Sequence, residues 1–447
     1  MKAKGWIWIL VIAAVVIVAA IVLYPRTKTL FGPTEVQWWH AHGGALGERV
    51  ERMVEGFNKS QSDYVVKAVY KGSYAETMTA GIAAFRAGSP PAVLQVFEVG
   101  TATMMAAEGA IYPVYQLMQD TGEPFDPKAY LATVTGYYTD TQGQMLSMPF
   151  NSSTPVLWYN KDMFKAAGLD PAKPPATWPE VEAYSKKLIA SGAAKCGFTT
   201  AWPSWIQVEN FSAWHNVPLA SMENGFAGLG ARMAIANPTL ERHMAKLGEW
   251  QKSKIFDYGG RTNKAVPKFT TGECAMLTES SAGYARISTE SKFGFGVGML
   301  PYWPDVAGAP QNTIIGGASL WVLRGQSPEV YKGVARFFTY LYSPEVQSEW
   351  HKGTGYLPIT LRAYNLTEES GFYKEKPGTD VAIKQMTLNQ PTANSQGLRL
   401  GNFPQIRDVH YEEMEAVFAG TRSAKDALAN MQQRDNQLLE QFEQANR

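Results

Sequence analysis

The first candidates for chemistry are His40 and His42, because two imidazoles with a single residue, Ala41, between them can turn toward the same metal ion. A metal centre needs further ligands, and neither the scattered His215, His243, His351 and His410 nor any carboxylate-rich run beside the pair supplies them. The alternative is a polar turn at the edge of a cleft, just after Trp38 and Trp39. Nucleophile and phosphate-loop signatures are missing: there is no GxSxG elbow, no HExxH pair and no Walker loop. Gly294, Gly296 and Gly298 alternate within an apolar run, which suits a closely packed strand better than a dinucleotide turn. The two cysteines, Cys196 and Cys274, lie in no CxxC or Cys/His cluster, so they read as one long-range disulfide or as two separate buried thiols. The expectation is a protein with no catalytic residues, no metal and no cofactor.

Residues suited to holding a polar ligand are more numerous. The chain has 13 Trp and 21 Tyr, and several stand with glycine and hydroxyl residues in Gly72-Ser73-Tyr74, Trp202-Pro203-Ser204-Trp205 and Gly353-Thr354-Gly355-Tyr356. Aromatic faces pack on C–H surfaces while hydroxyls and backbone N–H groups orient oxygens, a division of labour common in preformed pockets. Arg407, in Asn402-Phe403-Pro404-Gln405-Ile406-Arg407, reads as loop-borne. Its guanidinium fork can hold a phosphate through two parallel bonds.

These residues need elements to position them. Lys2 and Lys4 precede an apolar run over 6–24, which Arg26 and Lys28 end. The run is long enough for a spanning helix of roughly 20 residues, and Val18-Ala19-Ala20 offers a signal cleavage site. Residues 1–30 therefore read as a membrane anchor or a removed signal, and either sends the rest of the chain across a membrane. The roughly 415 residues beyond exceed what one core serves, so two domains are expected. The net charge is +1 and the basic residues are spread out, which excludes a nucleic-acid partner on electrostatic grounds.

Apolar periodicity predicts strand, helix, strand, helix, strand at 36–39, 46–57, 64–70, 74–85 and 92–97, a βαβαβ unit with a parallel sheet. A second set begins at 156–159 with a helix over 161–167. Thr177 and Glu180 form a capping box ahead of the helix at 181–189. Ser327-Pro328-Glu329 and Ser343-Pro344-Glu345 start two more helices. A polar helix from 423 onward buries Leu428, Met431, Leu438 and Phe442.

Tyr159-Asn160-Lys161 through Phe164, with Gly168-Leu169, Pro174-Pro175 and Thr177-Trp178, resembles a segment shared by the extracellular solute-binding proteins of sugar ABC importers, the maltose-binding-protein-like group. Longer stretches resemble the glycerol-3-phosphate-binding branch of that family: Tyr70-Lys71-Gly72, Gln95-Val96-Phe97-Glu98-Val99-Gly100-Thr101, Pro149-Phe150-Asn151-Ser152-Ser153, Ile314-Ile315-Gly316-Gly317-Ala318, Thr354-Gly355-Tyr356-Leu357-Pro358 and Gly397-Leu398-Arg399-Leu400-Gly401-Asn402. The resemblance runs from about residue 36 to the C-terminus.

It implies an α/β, two-lobed type II periplasmic-binding-protein fold with hinge crossovers near 148–153 and 314–318, preceded by an N-terminal hydrophobic helix. Lobe 1 would comprise 34–149 plus 317–362, and lobe 2 would comprise 150–316 plus 363–447. The implied function is periplasmic capture of sn-glycerol-3-phosphate, or of a glycerophosphodiester such as glycerophosphocholine. Delivery would be to the membrane subunits of an ABC importer, whose cytoplasmic ATPase subunits complete the complex. The N-terminal helix would tether the protein to the inner membrane if residues 6–24 are retained. The implied ligand contacts are Tyr74, Glu98, Ser153, Trp202, Ser280, Gly317, Tyr356 and Arg407. Arg407 would pair the phosphate, helped by Ser and Tyr hydroxyls and the Gly317 N–H; Glu98 would accept from glycerol hydroxyls, and Trp202 would wall the pocket. Glu279, beside Ser280, would repel a phosphate, and strand alternation would turn it away from the cleft. Two other readings compete: a metal-dependent glycerophosphodiester hydrolase built on His40 and His42, and a neutral-sugar-binding relative in which Arg407 contributes little.

Overall fold

The strands β1 (Thr34–His40), β2 (Tyr64–Tyr70) and β3 (Val93–Phe97) are linked by the helices Gly44–Ser60 and Tyr74–Arg86. β1 lies between the other two and pairs with both in parallel. This is the unit that the periodicity predicts, in a computed structural model that describes residues 32–447. The expected anchor or signal helix at 6–24 lies outside the described residues. Among those described, no helix is long and apolar enough to cross a membrane.

Two distant strands complete the first sheet, β4 (Met148–Ser153) and β9 (Gly316–Val322), in the order β2-β1-β3-β9-β4, with β9 antiparallel to both of its neighbours. The second sheet contains β5 (Pro155–Asn160), β6 (Cys196–Thr200), β7 (Cys274–Ser280) and β8 (Phe295–Gly298), in the order β6-β7-β5-β8. Gly296 belongs to β8 and faces the Tyr159 ring, where a Cβ would overlap the phenol. The alternating glycines are thus a strand packed closely against an aromatic neighbour.

The chain passes from the first sheet to the second between Ser153 and Pro155 and returns over 299–315. A division at residue 150 falls inside β4, whose ladder to β9 holds Asn151, Ser152 and Ser153 in the first sheet. At the crossing, the Thr154 hydroxyl bonds Thr313 Oγ1 at 2.7 Å and the Ile314 carbonyl at 3.0 Å. Gln385 binds the same place from a later segment, donating to the Pro155 carbonyl at 2.7 Å and to Thr313 Oγ1 at 3.0 Å. These bonds tie the passages to one another rather than to either sheet alone.

Helix starts follow the capping chemistry. Thr177 and Glu180 exchange side-chain and backbone bonds ahead of Trp178–Ala190. Ser327 caps Pro328–Leu341 through the Val330 N–H, whereas Ser343 makes no such bond ahead of Pro344–Thr354. The last helix, Ala424–Ala445, buries Leu428, Met431 and Phe442, with Leu438 partly buried, and packs against Phe403–Phe418.

Cys196 and Cys274 face each other across the parallel pair β6 and β7 with Cα atoms 4.6 Å apart, and they form a disulfide. A cross-link over 78 residues restricts the unfolded chain, and such links typically contribute about 2–4 kcal/mol. Replacing both cysteines by serine is expected to lower the unfolding free energy by about that amount. Reductant should then destabilise the parent protein in urea titrations and leave the serine variant unaffected.

Candidate functional site

A chain of side-chain hydrogen bonds starts at the end of β1. Gln95 Oε1 accepts the Ala41 N–H at 2.7 Å, which orients the amide so that its nitrogen donates to His42 Nε2 at 2.9 Å and to Asn151 Oδ1 at 2.8 Å. Asn151 in turn donates to the Tyr74 hydroxyl at 2.9 Å, which lies 3.4 Å from the Tyr356 hydroxyl. Every link is buried or nearly so, and a buried polar network is stable only when each member is satisfied. Strands β1, β3 and β4 thereby fix two phenols contributed by a helix start and a loop. Tyr74 stacks on Phe97, and Tyr356 stacks on Trp350 with parallel rings.

This network also decides the fate of His40 and His42. His42 Nε2 is occupied by Gln95, and His40 Nδ1 lies 3.3 Å from the His42 backbone N–H as its acceptor. Burial holds His40 down to about 4 and His42 to about 3, so both are neutral polar links within the wall. Among the described residues the grouping with metal-ligand spacing is elsewhere, at Cys196, Asp257 and Cys274, and its sulfurs are in the disulfide.

Facing the phenols is a buried charge cluster. Arg407 donates from Nε to Glu209 Oε1 at 2.8 Å and from Nη2 to Glu209 Oε2 at 2.7 Å, and Nη2 also meets Glu98 Oε1 at 2.5 Å. All three side chains are nearly excluded from solvent. Glu98 follows β3 of the first sheet, whereas Glu209 comes from a segment whose Gln207 bonds Thr200 and Thr278 of the second, and Arg407 from a helix whose Phe418 packs on Phe256 beside β6, so the cluster bridges the two halves. Nη1 of Arg407 has no protein acceptor in this set of bonds. Burial alone would lower the guanidinium, but the charges of Glu209 and Glu98 outweigh it and raise it well above its ordinary value. Burial raises Glu98, opposed by Arg407 and reinforced by Glu209. The Tyr137 hydroxyl, buried and without a hydrogen-bond partner, lies close enough to Glu98, Glu209 and Arg407 to feel their charges.

Arg407 is helical rather than loop-borne. It lies in the second turn of Phe403–Phe418, which starts after Asn402 in the left-handed conformation and carries Pro404 in its first turn, where no N–H is required. Glu209 escaped the sequence reading. It sits in a π-helical segment, Trp205–Asn210, and its one signal is a carboxylate inside an apolar and aromatic run. Behind it, Ser204 Oγ bonds Glu209 Oε1 at 3.1 Å and His410 Nδ1 at 2.9 Å, and His410 Nε2 meets Asp435 Oδ2 at 2.9 Å. The last two helices thus hold the glutamate that holds the arginine.

The remaining expected contacts are placed as follows. Ser153 is buried at the end of β4. Gly317 has φ of +99°, and a Cβ there would overlap the Asn151 carbonyl oxygen, so only glycine keeps β4 and β9 in register at this point. Ser280 ends β7 and its hydroxyl accepts the Ala282 N–H at 3.1 Å. Trp202 is half-buried with φ of +45°, a strained backbone for a non-glycine residue. Glu279 does not turn away from this region. It is buried, Oε1 accepts the Ser280 N–H at 2.6 Å, and its charge reaches Tyr356. Burial pushes it up to about 8, against the Ser280 N–H, Arg286 and the Trp202 side chain.

Residues 52–380 match the family of bacterial extracellular solute-binding proteins. This chain belongs to that family. The sn-glycerol-3-phosphate-binding periplasmic protein UgpB of Yersinia pseudotuberculosis is 52% identical over 415 residues, covering 93% of this chain and 94% of the relative. The protein of the same name from Salmonella typhimurium is 51% identical over the same span. Among solved structures, UgpB from Mycobacterium tuberculosis in complex with glycerophosphocholine superposes with a TM-score of 0.77 at 20% identity, covering 92% of this chain and all of that one. Maltose-bound MalE3 of T. maritima gives 0.75 at 17% identity, over 91% of this chain and all of that one. These two likenesses establish the fold, and the family is one of solute binding rather than catalysis.

A carboxyl whose folded pKa, about 8, lies above its ordinary value binds a proton on folding at intermediate pH. The stability it lends is complete in acid and is lost as pH rises through that value. Glu279→Gln is expected to flatten the fall in melting temperature between about pH 4.5 and pH 8, read by thermal denaturation in a pH series.

Proposed function

We propose that this protein captures sn-glycerol-3-phosphate, and glycerophosphodiesters such as glycerophosphocholine, in the cleft between its two sheets and passes them to an ABC importer. The observation that carries this reading is Arg407, oriented by Glu209 with Nη1 left free, in a chain about half identical to proteins named for binding sn-glycerol-3-phosphate. A guanidinium fixed through Nε and Nη2 presents Nη1 to a phosphate without further ordering, and preorganisation of this kind raises affinity by reducing the entropy lost on binding.

The other contacts divide by chemistry. Tyr74 and Tyr356, linked through Asn151, present hydroxyls to the ligand's oxygens; Ser153, Ser280 and the Gly317 N–H add further polar contacts, and Trp202 closes one wall. The lobes would follow the sheets, 34–149 with 317–362 and 150–316 with 363–447, with the passage adjusted to Thr154. Their closure about the Thr154, Thr313 and Gln385 bonds would present a closed surface to the importer's membrane subunits. The apolar run at 6–24 would deliver the protein to the periplasm, as a removed signal or as a tether to the inner membrane.

Calorimetric titration of the purified soluble part with glycerol-3-phosphate tests this. The parent protein should bind, and Arg407→Lys, which keeps the charge but loses the fork, should weaken binding by about 1.5–3 kcal/mol, or roughly ten- to a hundredfold. Absence of binding heat in the parent, or equal affinity in both proteins, would overturn the reading.

A further inference from the structure

The charges around Arg407 do not balance for an anionic ligand. One guanidinium is shared by two carboxylates, so with Glu98 and Glu209 ionised the cluster already carries a net negative charge before any phosphate arrives. The free nitrogen, Nη1, is bonded to the same carbon as Nη2, so a phosphate seated there lies beside Glu98 in a region from which water is excluded. Like charges that close in a low-dielectric site cannot both stay ionised, as in carboxylate pairs that share one proton.

Glu209 is the poorer candidate to yield, because both of its oxygens are held by Arg407 and one also accepts from Ser204. Glu98 has only Oε1 on Arg407, and besides that its carboxyl is met by its own backbone N–H, so it is held by fewer donors than Glu209 and is the better placed to take a proton. The charged groups facing Glu98 are Arg407 from the helix Phe403–Phe418 and Glu209 from the π-helical segment. Around them stand the phenols of Tyr74, Tyr137, Tyr138, Tyr356 and Tyr411, all kept protonated mainly by burial.

Resting on the phosphate reading above, we infer that Glu98 takes up one proton from solvent when a phosphate seats on Arg407, so that the ligand meets a neutral carboxylic acid whose O–H donates to a phosphate oxygen. The proton comes from bulk water, is held on the Glu98 carboxyl while the ligand is bound, and returns to solvent on release. The same burial that raises Glu98 without ligand favours this step. The site therefore takes its phosphate as part of a proton-linked pair, and capture of a phosphomonoester dianion weakens as pH rises. A neutral Glu98 also becomes a donor, which suits phosphate oxygens better than a second carboxylate would.

The test is calorimetry with glycerol-3-phosphate at pH near 8, where a phosphomonoester with a second pKa of about 6 is a dianion, in phosphate-free buffers of low and high ionisation enthalpy. The parent protein should show a buffer-dependent heat that corresponds to uptake of about one proton, and Glu98→Gln should bind with that uptake largely lost. A buffer-independent heat in the parent, or unchanged uptake in Glu98→Gln, would overturn the assignment. If the variant does not bind, the parent's Kd decides: it should weaken about tenfold per pH unit above neutrality, and a flat profile would overturn the proposal. Absence of heat with any ligand in every buffer would instead count against the phosphate reading itself.

Discussion

An arginine held away from water by a single carboxylate would leave three of its five N–H groups short of acceptors, and two carboxylates leave a negative charge of their own. Arg407 sits in the second situation, with Glu209 on its own side and Glu98 across the cleft. Much of the architecture around the site follows from keeping that cluster in place. Removing one member of a buried charge group costs more than the group contributes, because the remaining charges are left uncompensated. The Ser204, His410 and Asp435 chain ties Glu209 to the last two helices, so the C-terminal end of the chain is part of the site although it contributes one residue to it.

The opposite wall is built on a different principle. It carries no cation, and it gains rigidity from an amide network whose orientation is set by one backbone donor, Ala41 N–H. Gln95 and Asn151 then pass that orientation to Tyr74 and Tyr356. One side of the cleft is thus a fixed charge and the other a fixed set of hydroxyls. The passages between the halves are joined by Thr154, Thr313 and Gln385, about which closure would bring the two together. A binding protein needs this combination: rigid surfaces on each half and a connection able to change its angle.

Local signals carried the sequence reading far. The first βαβαβ unit, the Thr177 capping box and the buried stripe of the last helix were all legible from apolar spacing and cap chemistry. What periodicity could not supply was pairing over long separations. β9 lies between β3 and β4 though it is encoded about 170 residues after β4, and nothing within its own seven residues says so. The site divides in the same way. Arg407 could be named from the resemblance, but its helical setting was hidden by the Asn402-Phe403-Pro404 start, which reads equally as a loop. Glu209 was invisible because its role exists only opposite Arg407, 198 residues away. For His40 and His42 the spacing suits a metal but no further ligands stand nearby in the sequence, and in the fold one nitrogen of each ring is engaged, His42 Nε2 by Gln95 and His40 Nδ1 by the backbone.

Family membership and the buried cluster meet in a single claim, that Arg407 is oriented by Glu209 so that Nη1 awaits a phosphate. A crystal structure of the protein with glycerol-3-phosphate measures this most directly. A phosphate oxygen is expected within about 2.7–2.9 Å of Arg407 Nη1, with Glu209 still bound to Nε and Nη2. A ligand seated with its phosphate away from Arg407, or Glu209 swung off the guanidinium to admit it, would contradict the account.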